Sequence, residues 1–237
     1  MNRIIKTAVA SVALCATVSA FAQEVDEEVE SSVIGYTPVA IGIATPVQLP
    51  WGINRWDVYG LDVNLFYSDA PKMYGLDVGG LAALTRNTTM GLVASLLANV
   101  AFDDVYGLRV TAGVNYSDKG VWGSDIGLVG IRNSLHGLDV NFLGSYQQNV
   151  CGLQVSGLAN VSRVESYGAV IAGIANLSQV SYGLQLAAVF NMTQELHGAQ
   201  VALVNYTEDC PSGFQIGLVN IILQNRLKFL PFVNGYF

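Results

Sequence analysis

The chain has 237 residues and a formal net charge of −7, with 51% hydrophobic and only 12% charged residues. An acidic chain without a basic patch is not suited to nucleic-acid binding. Soluble globular proteins carry about 25% charged residues, so the composition predicts that something other than water covers part of the surface.

The N-terminal segment predicts export. Residues 1–22 combine a basic start with an uncharged apolar run and end in Ala20-Phe21-Ala22, which is typical of a cleaved secretory signal peptide. Residues 23–32 are acidic and have little to bury, so they are predicted to form a disordered leader. We therefore expect a single β-repeat domain over residues 33–237.

A glycine-anchored repeat follows. Residues 33–50 contain three prolines and predict one or two entry strands, and a turn is expected at 51–58. A glycine then recurs every 14 to 16 residues, which is typical of a repeat architecture. These anchor glycines are Gly60, Gly75, Gly91, Gly107, Gly123, Gly137, Gly152, Gly168, Gly183, Gly198 and Gly213.

Each unit alternates apolar residues with small or polar residues. The alternation runs without a break through residues 106–117 and 182–193, and a period of two indicates strand rather than helix. An aromatic residue or histidine often precedes the anchor glycine, and an asparagine commonly follows it by seven or eight positions. Each unit is therefore predicted to be one strand of about 10 to 12 residues.

Two architectures fit this repeat: an antiparallel meander that closes into a barrel, and a β-solenoid in which each unit is one coil. The unbroken alternation favours the meander. So does the slot two residues after the anchor glycine, where Asp62 would stack on Asp77, and Asp125 on Asp139, in a parallel arrangement.

The constant repeat length favours the solenoid instead. So do the repeated asparagines and the glutamines at 185, 200 and 215, because stacked amides hydrogen-bond to one another. We predict an all-β antiparallel meander closed as an outer-membrane-type β-barrel of about 12 to 14 strands. The alternative is a β-solenoid with 15-residue coils.

A barrel would turn the apolar face to lipid and the small, polar face to a lumen. Residues 227–237 end in the aromatic Phe237 and resemble the C-terminal strand of bacterial outer-membrane barrels, although Pro231 and Gly235 depart from that pattern. The predicted location is the bacterial outer membrane or cell surface, with outer-membrane lipid as a partner.

The repeat also resembles a known family. GFQIGLVN at 213–220 and GLQVSGLAN at 152–160 are similar to the tandem G-L-Q-x-G-L-x-N units of a bacterial surface-repeat family, and TPVQLP at 45–50 and LPFVNGYF at 230–237 resemble that family's ends. The resemblance covers about residues 45–237. It implies an exported surface protein of unknown function and supplies no functional residues.

No residue set predicts catalysis, a cofactor or a metal, so we expect no enzyme. His136 and His197 precede anchor glycines and are interpreted as aromatic substitutes. The paired aspartates would approach cation-binding distance only in a parallel stack. Cys151 and Cys210 lie four repeats apart, or about 19 Å, which is too far for a disulfide.

The predicted function is that of an exported surface or outer-membrane β-repeat protein with a structural or narrow-pore role. The alternative is a cell-surface β-solenoid that binds a partner or carbohydrate. Five Asn-x-Ser/Thr sequences, which start at Asn115, Asn160, Asn176, Asn191 and Asn205, are interpreted as strand-end turn residues rather than glycosylation sites.

Overall fold

The computed structural model describes residues 33, 35–51 and 55–236. The compact unit that begins at Gly35 contains the whole repeat. The predicted signal peptide, the acidic leader and the terminal Phe237 lie outside the described residues.

Fourteen β-strands form the described chain, and no α-helix occurs in those residues. The first seven are β1 (Gly35–Ala44), β2 (Val47–Leu49), β3 (Trp56–Ala70), β4 (Met73–Gly79), β5 (Ala82–Thr85), β6 (Thr89–Ser95) and β7 (Ala98–Ala101). The others are β8 (Val105–Thr111), β9 (Val114–Ser156), β10 (Ala159–Ala172), β11 (Ala175–Ala187), β12 (Phe190–Val201), β13 (Val204–Ile222) and β14 (Phe229–Gly235).

Successive repeats pair in parallel and in register. Gly60 pairs with Gly75 in β3 and β4, and Gly183 pairs with Gly198 in β11 and β12. Consecutive strands of a meander would be antiparallel, so the predicted barrel is wrong. The structure is instead the alternative, a β-solenoid of about ten coils.

Each coil contains two strands and two corners, not the single strand that was predicted. In one coil, β4 pairs with β3 and β6. The chain then bends at residues 80–81, and β5 pairs with β3 and β7 before a second bend at 86–88. The strands β3 and β9–β13 continue through one or more corners.

The bend at residues 188–189 explains why the alternation concealed the corner. Val189 lies an even number of residues from the buried Gln185 and Asn191, so the alternation predicts that it points inward. It is nevertheless 45% exposed, because the chain turns there. Asn191 resumes the inward phase on the second strand and is fully buried. A coil can therefore keep a period of two in its sequence while it changes direction.

The anchor glycines stack in one column, and their backbone explains the repeat. From Gly60 to Gly198 they have φ between +115° and +145°, a region that L-residues rarely adopt. A side chain at Gly75 would also collide with the carbonyl oxygen of Gly60 in the preceding coil. Close stacking of the coils therefore requires glycine at this slot.

Antiparallel pairs occur at the two ends of the repeat. At one end β2 pairs with β1, which itself lies parallel to β3. At the other end β14 lies antiparallel to β13, with Phe214 opposite Gly235. The segments that resemble the family's ends thus flank the stacked coils.

Candidate functional site

Polar side chains fill most of the interior of the solenoid, and three apolar clusters, which contain Met73, Leu135 and Leu196, occupy the rest. Residues two positions after the anchor glycine point inward, and Gln185, Gln200 and Gln215 are at most 1% exposed. Buried amides are stable when their donors and acceptors are paired. Gln200 Nε2 donates to Gln185 Oε1 at 2.8 Å, and Gln215 Nε2 donates to Gln200 Oε1 at 2.9 Å. The glutamine ladder that favoured a solenoid is confirmed.

A second ladder is formed by the repeated asparagines. Asn176 Nδ2 donates to Asn191 Oδ1 at 3.0 Å and to the carbonyl of Leu186 at 2.7 Å. Asn191 continues the ladder to Asn205, again at 3.0 Å. Each of these asparagines lies near the start of a strand, as expected, but it does not form the turn: Asn176 and Asn191 are the second residues of β11 and β12, and they are buried and join neighbouring coils.

Four buried charges form a connected chain in the middle coils. Arg109 binds Asp125 through two hydrogen bonds of 2.7 Å. Arg132 lies 3.2 Å from Asp125 and 2.8 Å from Asp139. Burial opposes the ionisation of Asp125, but the guanidinium groups of Arg109 and Arg132 outweigh it and hold the pKa of Asp125 below its usual range.

Asp62 and Asp77 occupy the same slot as Asp125 and Asp139 but have no such partner. Asp62 accepts from Asn64 Nδ2 at 2.7 Å, and Asp77 accepts from Ser68 Oγ at 2.8 Å. Burial raises the pKa of Asp77 to about 8, and the neighbouring Asp62 adds to the increase. Burial likewise raises the pKa of Asp62 to about 7.

The outer surface is apolar, which reverses the usual arrangement of a soluble protein. The first face of the solenoid is formed by the strands that carry the anchor glycines. Its outward residues form two rows, one and three residues after the anchor glycine, and both rows are mostly Leu, Val and Ile. Leu153, Phe214 and Ile216 are 38–46% exposed. This surface is continuous over many coils, and exposed apolar patches of large size mark interaction sites.

One corner extends this surface around the edge of the solenoid. We call it the apolar corner, and it comprises Phe66, Leu81, Leu97, Gly113, Leu128, Leu143, Leu158, Ile174, Val189, Leu203 and Leu218. Leu158, Ile174, Val189, Leu203 and Leu218 are 40–58% exposed.

The opposite corner holds the external charge. This charged corner comprises Asp69, Lys72, Arg86, Asp103, Asp104, Asp118, Lys119, Arg163, Glu165, Glu195, Glu208 and Asp209. Between residues 58 and 222 the other charged side chains are six interior ones: Asp62, Asp77, Arg109, Asp125, Arg132 and Asp139. Asp69 is buried as well, and it pairs with Arg86. The two faces and the apolar corner therefore carry no exposed charge over that range.

Aromatic rows lie between the charged corner and the apolar surface. On the first face, Tyr167 stacks on Tyr182, which stacks on His197, with ring centroids 4.5 and 4.6 Å apart. The second face is formed by the other strand of each coil. On it, Tyr116 and Tyr146 lie next to the charged corner, and Arg163 Nη1 donates to the Tyr146 hydroxyl at 3.0 Å. The hydroxyl of Tyr116 likewise donates to Asp118 of that corner at 3.4 Å.

The residues weighed individually in the sequence fall into these rows. His136 stacks on Trp122 with centroids 3.9 Å apart, and His197 contacts Glu195 at 2.7 Å. Cys151 is an exposed thiol and Cys210 is a buried one. The described residues contain no group of three or more His, Cys, Asp or Glu side chains placed to hold a metal ion.

In residues 33, 35–51 and 55–236, no helix has the length and hydropathy needed to cross a membrane. Comparison with family models, curated proteins and solved structures finds no match to this chain. The resemblance to a surface-repeat family therefore stays a prediction.

Proposed function

We propose that this protein is an exported bacterial β-solenoid that works by binding a partner through its apolar outer surface. The observation that carries the proposal is the separation of polar from apolar groups. Hydrogen-bonding side chains form most of the interior, while two faces and one corner present uncharged, largely apolar rows. Exposing such a surface to water is unfavourable, so it is best explained as a binding surface.

The separation favours binding over the other roles considered. The narrow-pore role required a barrel lumen, and the solenoid interior is filled by side chains such as Gln200 and Asn191. Carbohydrate recognition by aromatic stacking needs free ring faces, but Tyr182 is sandwiched between Tyr167 and His197. An apolar partner fits the exposed rows better than a sugar does.

Fractionation of bacteria that express the full chain tests the proposal. We expect the chain in the cell envelope, and a chain without residues 1–22 in the cytoplasm. The Ile174→Asp/Val189→Asp variant should lose envelope association because it charges the apolar corner. The matched Gln179→Asp/Gln194→Asp variant, from the same coils but at the opposite edge, should keep it.

Two results would contradict the proposal. One is cytoplasmic retention of the full chain, which removes export. The other is a folded Ile174→Asp/Val189→Asp variant, with unchanged far-ultraviolet circular dichroism, that stays in the envelope as fully as the unmodified chain.

A further inference from the structure

Resting on that proposed function, we infer that the partner is a lipid leaflet, which the solenoid enters edge-on with its apolar corner. The first argument is shape. The apolar rows cover both faces and the corner that joins them, so they form a convex edge. A flat partner covers one face, whereas acyl chains surround a convex edge on both sides.

The backbone of the apolar corner is already hydrogen-bonded. Leu97 N donates to Leu81 O at 2.8 Å, Ile174 N donates to Leu158 O at 2.8 Å, and Val189 N donates to Ile174 O at 3.2 Å. Unpaired backbone groups are the main obstacle to placing β-structure in hydrocarbon. Here the ladder between coils satisfies these N–H groups, so lipid can replace water at them without leaving them unpaired.

The order of side chains around each coil matches the layers of a membrane surface. The charged corner comes first, followed on the first face by a row that is mostly Tyr, Trp and His and on the second face by a row that includes Tyr116, Tyr146 and Tyr206. Aliphatic rows then lead to the apolar corner. Tyr and Trp favour the headgroup region because they combine an apolar ring with a polar group. Contacts such as that of Tyr146 with Arg163 keep the hydroxyls at the polar side.

The dimensions agree with one leaflet. Seven residues separate Tyr167 in the aromatic row from Ile174 at the apolar corner, which is about 23 Å at 3.3 Å per residue. Half of a bilayer with its headgroups is about 20–22 Å thick. The aromatic rows therefore reach the headgroup level when the corner reaches the middle of the bilayer.

The charged corner then stays in water. It contains eight acidic and four basic side chains, so it gives no electrostatic attraction to an anionic surface. Binding should depend on the apolar area, and neutral phosphatidylcholine vesicles should bind the protein at least as well as vesicles that also contain phosphatidylglycerol.

Flotation of the purified chain with phosphatidylcholine vesicles tests the inference. We expect Ile174→Asp/Val189→Asp to lower vesicle affinity by about a hundredfold, because aspartate is unfavourable in hydrocarbon. The Gln179→Asp/Gln194→Asp variant shares all other residues, including 1–34, and should bind like the unmodified chain. Equal loss by both variants, or loss by neither, would overturn entry through this corner.

A fluorescent label reports the orientation. In a Cys15→Ser/Cys151→Ser chain, an NBD group attached at Ile174→Cys should shift to shorter wavelength and brighten on vesicles, whereas one at Gln179→Cys should not. If no chain binds lipid while envelope association still depends on Ile174 and Val189, the lipid inference is wrong and the proposed function stands with a protein partner.

Discussion

Two acid pairs occupy the same slot of the repeat but have opposite surroundings. Asp125 and Asp139 lie with Arg109 and Arg132, so two carboxylates and two guanidinium groups balance. Asp62 and Asp77 stack in neighbouring coils and accept hydrogen bonds from the neutral Asn64 and Ser68. The same fold thus gives the acids of one region cationic partners and favours protonation of the acids in the other.

The difference shows how a parallel stack handles like charges. The space for Arg132 comes from Gly130, where a side chain would collide with the Arg132 guanidinium. At Asp62 and Asp77 the like charge is reduced by protonation instead, because burial raises the pKa of both carboxyls. Burial disfavours a charge unless a counter-charge is present, and the two regions represent these two outcomes.

The largest expected effect is a pH dependence confined to the first coils. The folded state keeps protons on Asp62 and Asp77 up to about pH 7 and 8, whereas the unfolded chain releases them near pH 4. The contribution of these two carboxyls to stability should therefore be greatest below about pH 4 and be lost as pH rises towards 8, by up to about 1.4 kcal/mol per pH unit for each proton.

Hydrogen exchange with mass spectrometry, corrected for the intrinsic rate, measures this effect in segments. Residues 58–85 should lose protection between about pH 5 and pH 9, while residues 121–147 should change little. Equal slopes in the two segments would show that the acid pairs do not differ as described.

Removing Arg132 should have the next largest effect. Arg132→Met leaves Asp139 buried without its cation, which typically costs about 3–5 kcal/mol. Urea unfolding measures the change. Adding Asp139→Asn to the same chain should recover most of the loss, because it removes the unpaired carboxylate; if the double variant is no more stable than the single one, the ion pair is not the cause.

The amino-acid pattern was sufficient to predict which residues share a side of each strand. It did not indicate pairing direction, because corner residues such as Val189 keep the period of two while they turn outward. The aspartates two residues after the anchor glycine wrongly favoured the meander for a related reason. Arg132 belongs to a different slot from Asp125, and only the coil geometry brings their side chains within 3.2 Å.

The outer surface was partly predictable. Low charge and an apolar row were visible in the sequence and indicated a covered surface. The sequence does not show that this surface is divided into an apolar and a charged corner. Ile174 and Arg163 lie at different bends of a coil, and the positions of the bends are not visible in the sequence. Once the bends are located, the spacing from the anchor glycine separates the two corners.

Asp77→Asn should have a smaller, stabilising effect. The amide removes the like charge beside Asp62, so the unfolding free energy of residues 58–85 should rise at about pH 9 by roughly 1–3 kcal/mol. The matched Asp125→Asn substitution should instead destabilise, because it leaves Arg109 and Arg132 with one anion fewer. The same sign for both variants would contradict the contrast between the two pairs.

The smallest effect is expected at the charged corner. Lys119 lies 2.7 Å from Asp103, which is as close as the buried pairs, but its side chain is 59% exposed. Water already solvates both ions there, so Lys119→Met should leave the urea midpoint unchanged within error. A shift comparable to that of Arg132→Met would mean that ion-pair distance, rather than burial, determines the difference between the regions.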